Sequence, residues 1–282
     1  MATWRGLRWP VRDSNPMINL SDVLRKTAAR VLPTRGLAFR VARKIVNLHN
    51  GDNNCDIGTN GELLVARAAL PHCGVVFDVG ANVGEWTNLA LTINPNATYH
   101  CFEPSQPTFA VLSRRSFPAN AHRNPFGLGE RTEERKLFVY AEGRGSNSLY
   151  YRNGLEEKQE FEEVISLRTL DDYSATQNID SIDFMKIDVE GHELAVLRGA
   201  SRMLAAGRIG VIQFEYGGCY IDARVLLKDI WEHVLSLNSS YSFYKIYPDG
   251  PRPIARYEQA LETFQYSNWL ITRSDWASRV RN

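Results

Sequence analysis

Val75-Val76-Phe77-Asp78-Val79-Gly80-Ala81-Asn82-Val83-Gly84-Glu85 is the stretch on which the fold of this chain turns. A short apolar run carrying Asp78 passes through two glycines into a segment of helical spacing, which predicts strand, tight turn and helix. Glycines at 80 and 84 permit the turn and let a ligand lie against the backbone. The helix start aims its first N–H groups at whatever sits there. A dinucleotide fingerprint needs a second glycine where the pyrophosphate approaches, and that position here is Asn82. No Tyr-x-x-x-Lys pair falls on a predicted helix either, so an NAD-dependent oxidoreductase is the weaker alternative. S-adenosyl-L-methionine carries no phosphate, and its ammonium group suits a carboxylate such as Asp78.

Working outward, the next apolar strand is Thr98 to Phe102, and it ends in Glu103 and Pro104. An acid at the tip of a second strand accepts hydrogen bonds from both ribose hydroxyls. The residues expected at the donor are therefore Asp78, Gly80, Ala81, Asn82, Gly84, Glu103 and Pro104, with Asp188 from a later strand. Further strands and helices alternate along the chain. Helices are expected at Gly61–Leu70, Glu85–Thr92, Pro107–Ser116, His192–Ala205 and Val225–Leu237, with strands near His122–Phe126, at Ile182–Ile187 and at Ile209–Phe214. Leu137–Tyr140 and Glu163–Leu167 read as further extended pieces. This alternation predicts a parallel sheet covered on both faces by helices. Two late strands, Ser242–Tyr247 and Thr263–Leu270, lack a full helix between them and suggest an antiparallel edge.

The bulk numbers leave few other classes open. The chain has 282 residues, 44% hydrophobic and 23% charged, with a formal net charge of +1. That is an ordinary globular composition, without the overall field that nucleic-acid binding draws on. Cys55, Cys73, Cys101 and Cys219 have no zinc-finger spacing, and reduced thiols in a cytoplasmic protein are expected. No apolar run reaches the roughly 20 residues of a membrane helix, and Met1–Asn15 lacks the apolar core of a secretory signal. The first sixty residues stand apart as a basic helical extension and loop, with the remaining chain, 61–282, forming the catalytic domain. Helical patterns from Ser21 and over Leu37–Leu48 carry basic side chains, whereas Asn47–Asn60 reads as loop. The extension is expected to pack on the catalytic domain with a solvated basic face. Its alternative is a contact with anionic lipid or a phosphorylated substrate.

FDVGANVGEWT, FEPSQPTF, SLRTLDDY and FMKIDVEGHELAVLRGA together resemble the successive motifs of the FkbM-family methyltransferases, and FEYG, YPDG and FQYSNWL are similar to the tail of that family. The resemblance runs from about Gly61 to Leu270. It implies a Rossmann-like class I methyltransferase fold: a seven-stranded, mostly parallel sheet with the last strand inserted antiparallel. It implies S-adenosyl-L-methionine as methyl donor, held by Asp78, Gly80, Asn82, Gly84 and Glu103, and O-methylation of a hydroxyl on a sugar, glycan or natural-product small molecule.

Methyl transfer to a hydroxyl needs alignment and a proton acceptor. The candidates cluster in Lys186-Ile187-Asp188-Val189-Glu190-Gly191-His192-Glu193, beyond the carboxyl end of an apolar strand, where parallel sheets place their ligands. If strand geometry persists, Lys186, Asp188 and Glu190 share one side. Asp188 is expected nearest the reaction centre, with Glu190 or His192 as base. Either carboxylate could instead cap the following helix. Glu215, at the end of the neighbouring strand, is expected to face the same cleft as substrate-binding or second catalytic carboxylate. Ser146 and Asn147, in a polar loop, suit sugar hydroxyls. Asp, Glu and His can ligate a metal, but no coordination set is fixed here, and none is assigned. An amine acceptor would leave the same donor motifs, which keeps N-methylation open.

Overall fold

The computed structural model describes residues 36–140, 147–152, 159 and 161–280. The helical pattern from Ser21 and the candidate Ser146 lie outside them. Residues up to His49 form one unit and the rest a second. The described part of the first is a helix, α1 (Leu37–Asn50), none of whose side chains is buried.

The second unit is built on an eight-stranded sheet. Its strands are β1 (Val75–Val79), β2 (Thr98–Phe102), β3 (Ala121–Asn124), β7 (Ile182–Ile187), β8 (Ile209–Tyr216), β9 (Tyr241–Tyr247), β10 (Gly250–Ile254) and β11 (Ser267–Arg273). Their order is β10-β9-β11-β8-β7-β1-β2-β3. The pairs β3–β2, β2–β1, β1–β7 and β7–β8 are parallel, and β11 lies antiparallel between β8 and β9. This is the expected seven-stranded arrangement plus one strand. The addition, β10, forms a hairpin with β9 over Gly-Pro-Arg-Pro-Ile. Two prolines conceal it from propensity, and they fit because an outer strand need not donate on its free side.

Alternation along β1 makes the sheet two-faced. Phe77 and Val79 join one core cluster with Ile187, Phe214, Leu194 and Ile230. Val76 joins the other with Phe184, Val211, Val65 and Ala90. One helical layer therefore includes α2 (Glu62–Ala69) and α3 (Glu85–Ile93), and the other includes α6 (Glu193–Arg198) and α9 (Leu227–Leu237). Each fully buried aliphatic or aromatic side chain contributes about 1.5–3 kcal/mol.

The helix expected over His192–Ala205 is broken into α6 and α7 (Ser201–Ala205). Asp171 supplies the reason: its carboxylate accepts from the N–H of Arg202 at 2.8 Å and of Met203 at 3.0 Å, capping a fresh helix start. The extended pieces form a separate sheet of β4 (Gly127–Leu128), β5 (Glu133–Val139) and β6 (Phe161–Arg168), in the order β4-β6-β5. Residues after Asn50 are tied to the sheet rather than looping freely. Asp52 meets the Lys245 ammonium at 2.5 Å with both side chains buried, and the Asn53 N–H reaches the Tyr266 carbonyl at 2.7 Å. All four cysteines carry free thiols.

Candidate active site

The carboxyl ends of β1, β2 and β7 open into a cavity, the place where open parallel sheets bind their ligands. Gly80, Asn82, Glu103, Pro104, Asn147, Asp188, Glu190 and His192 line it, all of them named from sequence. Asp78, Ala81 and Gly84 are not on its wall. Asp78 is buried behind the turn, where Thr87 Oγ1 donates to one carboxylate oxygen at 2.5 Å. Its other oxygen meets no partner among the described residues.

The turn works differently from the sequence expectation. Gly80 has φ +84°, and a Cβ there would stand 1.9 Å from the Asp188 carbonyl oxygen; the glycine lets β1 touch the end of β7. At Gly84 a Cβ would meet Leu112 and Phe117, not a ligand. The N–H groups of Gly80 and Ala81 both go to the Phe102 carbonyl, and that of Gly84 goes to Ala81. The turn is thus held by the protein itself, and the ligand wall is left to side chains and to Gly80.

Glu103 anchors that turn. It accepts from the Asn82 N–H at 2.9 Å and from the Ser105 N–H at 2.9 Å, one on each oxygen. Burial pushes its carboxyl up to about 7, although both N–H contacts work the other way. Asn82 takes φ 48°, a left-handed conformation that asparagine tolerates well.

Around β7 the charges are dense. Burial works against the Lys186 ammonium, but Asp188 and Asp78 outweigh it and its pKa is raised. Its Nζ lies 2.7 Å from Asp188 Oδ2. Strand geometry does not persist to Glu190, which has φ 52° and is followed by Gly191 at φ +103°. The chain turns there, so Lys186 and Asp188 meet while Glu190 swings to Arg152 at 2.8 Å. Burial and then the Asp188 charge push the Glu190 carboxyl up to about 8, against the pull of Arg152.

Neither Asp188 nor Glu190 caps the following helix. The helix has no side-chain cap at all, and Glu193 instead reaches back to accept from the N–H of Val189 and of Gly191 in the preceding turn. His192 is buried, its pKa lowered to about 4 by that burial. Its Nδ1 pairs with the Tyr150 hydroxyl at 3.0 Å, and its Nε2 meets no partner among the described residues.

Glu215 is not on the wall of this cavity. Tyr266 donates to it at 3.1 Å, and burial followed by the Asp188 charge raises its pKa well above the carboxylate range. Below it lies a network unforeseen from sequence. Glu62 accepts from Asn60, Gln213 and Asn268 at 2.6, 2.6 and 3.0 Å. Arg152 and the apolar wall of Leu137, Ile165 and Leu167 from the small sheet were also unforeseen. Alternation in Glu163–Leu167 was the available signal for that wall; nothing local marked the network.

Strand order, the antiparallel β11 and a cavity at the strands' carboxyl ends define a Rossmann-like class I methyltransferase fold. The chain belongs to the FkbM methyltransferase family: the methyltransferase FkbM domain matches residues 78–241. It is 27% identical over 150 residues to Methyltransferase 1 of Beauveria bassiana, covering 47% of this chain and 60% of that protein. It is 25% identical over 181 residues to the hexuronic acid methyltransferase AglP of Haloferax volcanii, covering 62% and 70%. Among solved structures, methyltransferase FkbM from Methylobacillus flagellatus aligns with TM-score 0.44 at 18% identity, over 70% of this chain and 43% of that one. The chain thus spans 60% of the Beauveria protein and 43% of the Methylobacillus one.

Proposed function

We propose that this chain transfers a methyl group from S-adenosyl-L-methionine to a hydroxyl of a sugar, glycan or comparable small molecule. One observation carries the choice of oxygen: Asp188, fixed by Lys186 at 2.7 Å, and Glu190, with its carboxyl pushed up to about 8, share one cavity wall. A hydroxyl is a poor nucleophile until its proton leaves, and a base whose pKa lies near the working pH removes it best. The hexuronic acid methyltransferase among the relatives supports a sugar acceptor.

The chemistry of the lining suits the donor. Glu103 keeps lone pairs free on both oxygens for a ribose diol, beyond the two N–H groups it already holds. Leu128 and Leu167 offer an apolar surface for a purine. Asp78, with one oxygen free of any partner among the described residues, lies behind the wall and not on it. The donor supplies an electrophilic methyl on a sulfonium whose leaving group is a neutral thioether. The chain's part is orientation, which contributes up to roughly 7–11 kcal/mol, and proton removal. Glu190 takes the hydroxyl proton, Arg152 holds its carboxylate in place, and Asp188 orients the attacking oxygen.

The test is incubation with methyl-labelled donor and a panel of hydroxylated acceptors, with S-adenosylhomocysteine binding followed by calorimetry. Absence of binding at millimolar ligand sinks the proposal. Methylation of an amine is favoured by one feature, the Asp188 side chain on the cavity wall, an acidic group that suits a cationic acceptor. Glu190→Gln distinguishes the two: a loss of about 10²–10⁴-fold in turnover is expected for oxygen and little loss for nitrogen.

A further inference from the structure

We infer that α1 docks this protein onto an anionic lipid bilayer, lying in the plane of the headgroups. At about 100° per residue, Leu37, Val41, Ile45 and Leu48 fall on one stripe. Ala38, Ala42, Val46 and Phe39 widen it to about 200° of the circumference, a sector interrupted only by His49 near its middle. Arg40, Arg43, Lys44 and Asn47 fill the remaining arc, and the helix contains no Asp or Glu. Leu37, Ile45 and Leu48 are 70%, 61% and 66% exposed among the described residues.

Charge selects the occupant. Ten Lys and Arg but only two Asp fall in the first fifty residues, out of 33 basic and 32 acidic residues in the whole chain. The rest of the protein is therefore net acidic, whereas α1 itself carries three cations, Arg40, Arg43 and Lys44, and no acid. A peptide-binding groove takes a narrow seam of anchors three and four residues apart. A broad aliphatic sector edged by arginine and lysine suits the boundary between acyl chains and headgroups, where the cations meet phosphate. Fourteen residues make a helix about 21 Å long. That is too short and too basic to span, and it agrees with no helix among the described residues being long and apolar enough to cross a membrane.

The experiment is co-sedimentation of the full chain with phosphatidylcholine vesicles, with and without phosphatidylglycerol. Binding is expected only with phosphatidylglycerol, weakening as salt is raised. Arg40→Glu/Arg43→Glu/Lys44→Glu should lower partitioning on the order of a hundredfold, and Val41→Asp/Ile45→Asp should abolish it with the thermal midpoint unchanged. Equal binding to both vesicles, no binding to either, or an unaffected Val41→Asp/Ile45→Asp variant would overturn the inference. So would a lowered midpoint in that variant together with wild-type protein that stays in the supernatant, because the stripe would then be covered by protein. None of these readouts depends on methyl transfer.

Discussion

Glu103 holds the glycine turn by one backbone N–H on each carboxylate oxygen, and the same oxygens are assigned to the ribose diol. Glu103→Gln keeps the shape but leaves one acceptor oxygen, and its new NH₂ must face a donor. Hydrogen bonds to a charged group contribute about 1.5–3 kcal/mol each. Loss of a ribose bond, with part of the turn anchorage, should therefore weaken S-adenosylhomocysteine binding by about 10–10³-fold. The pH response gives an independent handle. Because burial pushes the wild-type carboxyl up to about 7, affinity should fall as pH drops through that value, approaching about tenfold per unit in acid. The variant should be flat over the same window. Calorimetric titration of both proteins between about pH 6 and pH 8 measures both effects. Equal affinities, or wild-type binding that improves on acidification, would refute the ribose assignment.

Gly80→Ala requires a left-handed alanine, costing about 1–2 kcal/mol. It also displaces backbone that stands 1.9 Å from the new Cβ, for about 1–3 kcal/mol more. The thermal midpoint should drop by roughly 4–20 °C in calorimetry, with donor binding lost. Asp52→Asn strands the buried Lys245 ammonium and should cost about 3–5 kcal/mol in urea unfolding, whereas replacing both partners by apolar residues should recover most of it. Turnover should rise with pH up to about 8 as Glu190 ionises, and a profile already level at pH 6 would remove Glu190 as base. Glu190 also prefers its protonated form in the fold, so its contribution to stability is full below the ordinary 4.5 and is lost as pH rises through about 8. Glu190→Gln should be relatively more stable at alkaline pH. His192 works oppositely, stabilising above 6.5 and losing that contribution as pH falls through about 4, and it cancels in the comparison of the two proteins.

What the sequence by itself determined was local in character. Continuous apolar runs placed β1, β2, β7 and β8 to within a residue or two, because burial on both sheet faces is written into each strand separately. The acids that end those strands, Glu103 and Asp188, lie on the cavity wall because a strand end in a parallel sheet is a fixed place. Only the tertiary structure decided how these groups are joined. Gln213 reaches Glu62 across 151 residues and Asn268 reaches it across 206. The turn N–H groups are consumed by Phe102, and Glu190 leaves the Lys186 side for Arg152 because the backbone goes left-handed after Asp188. No local propensity carries such information. Which donor meets which acceptor depends on strand order and register, and those are set by the packing of the whole sheet.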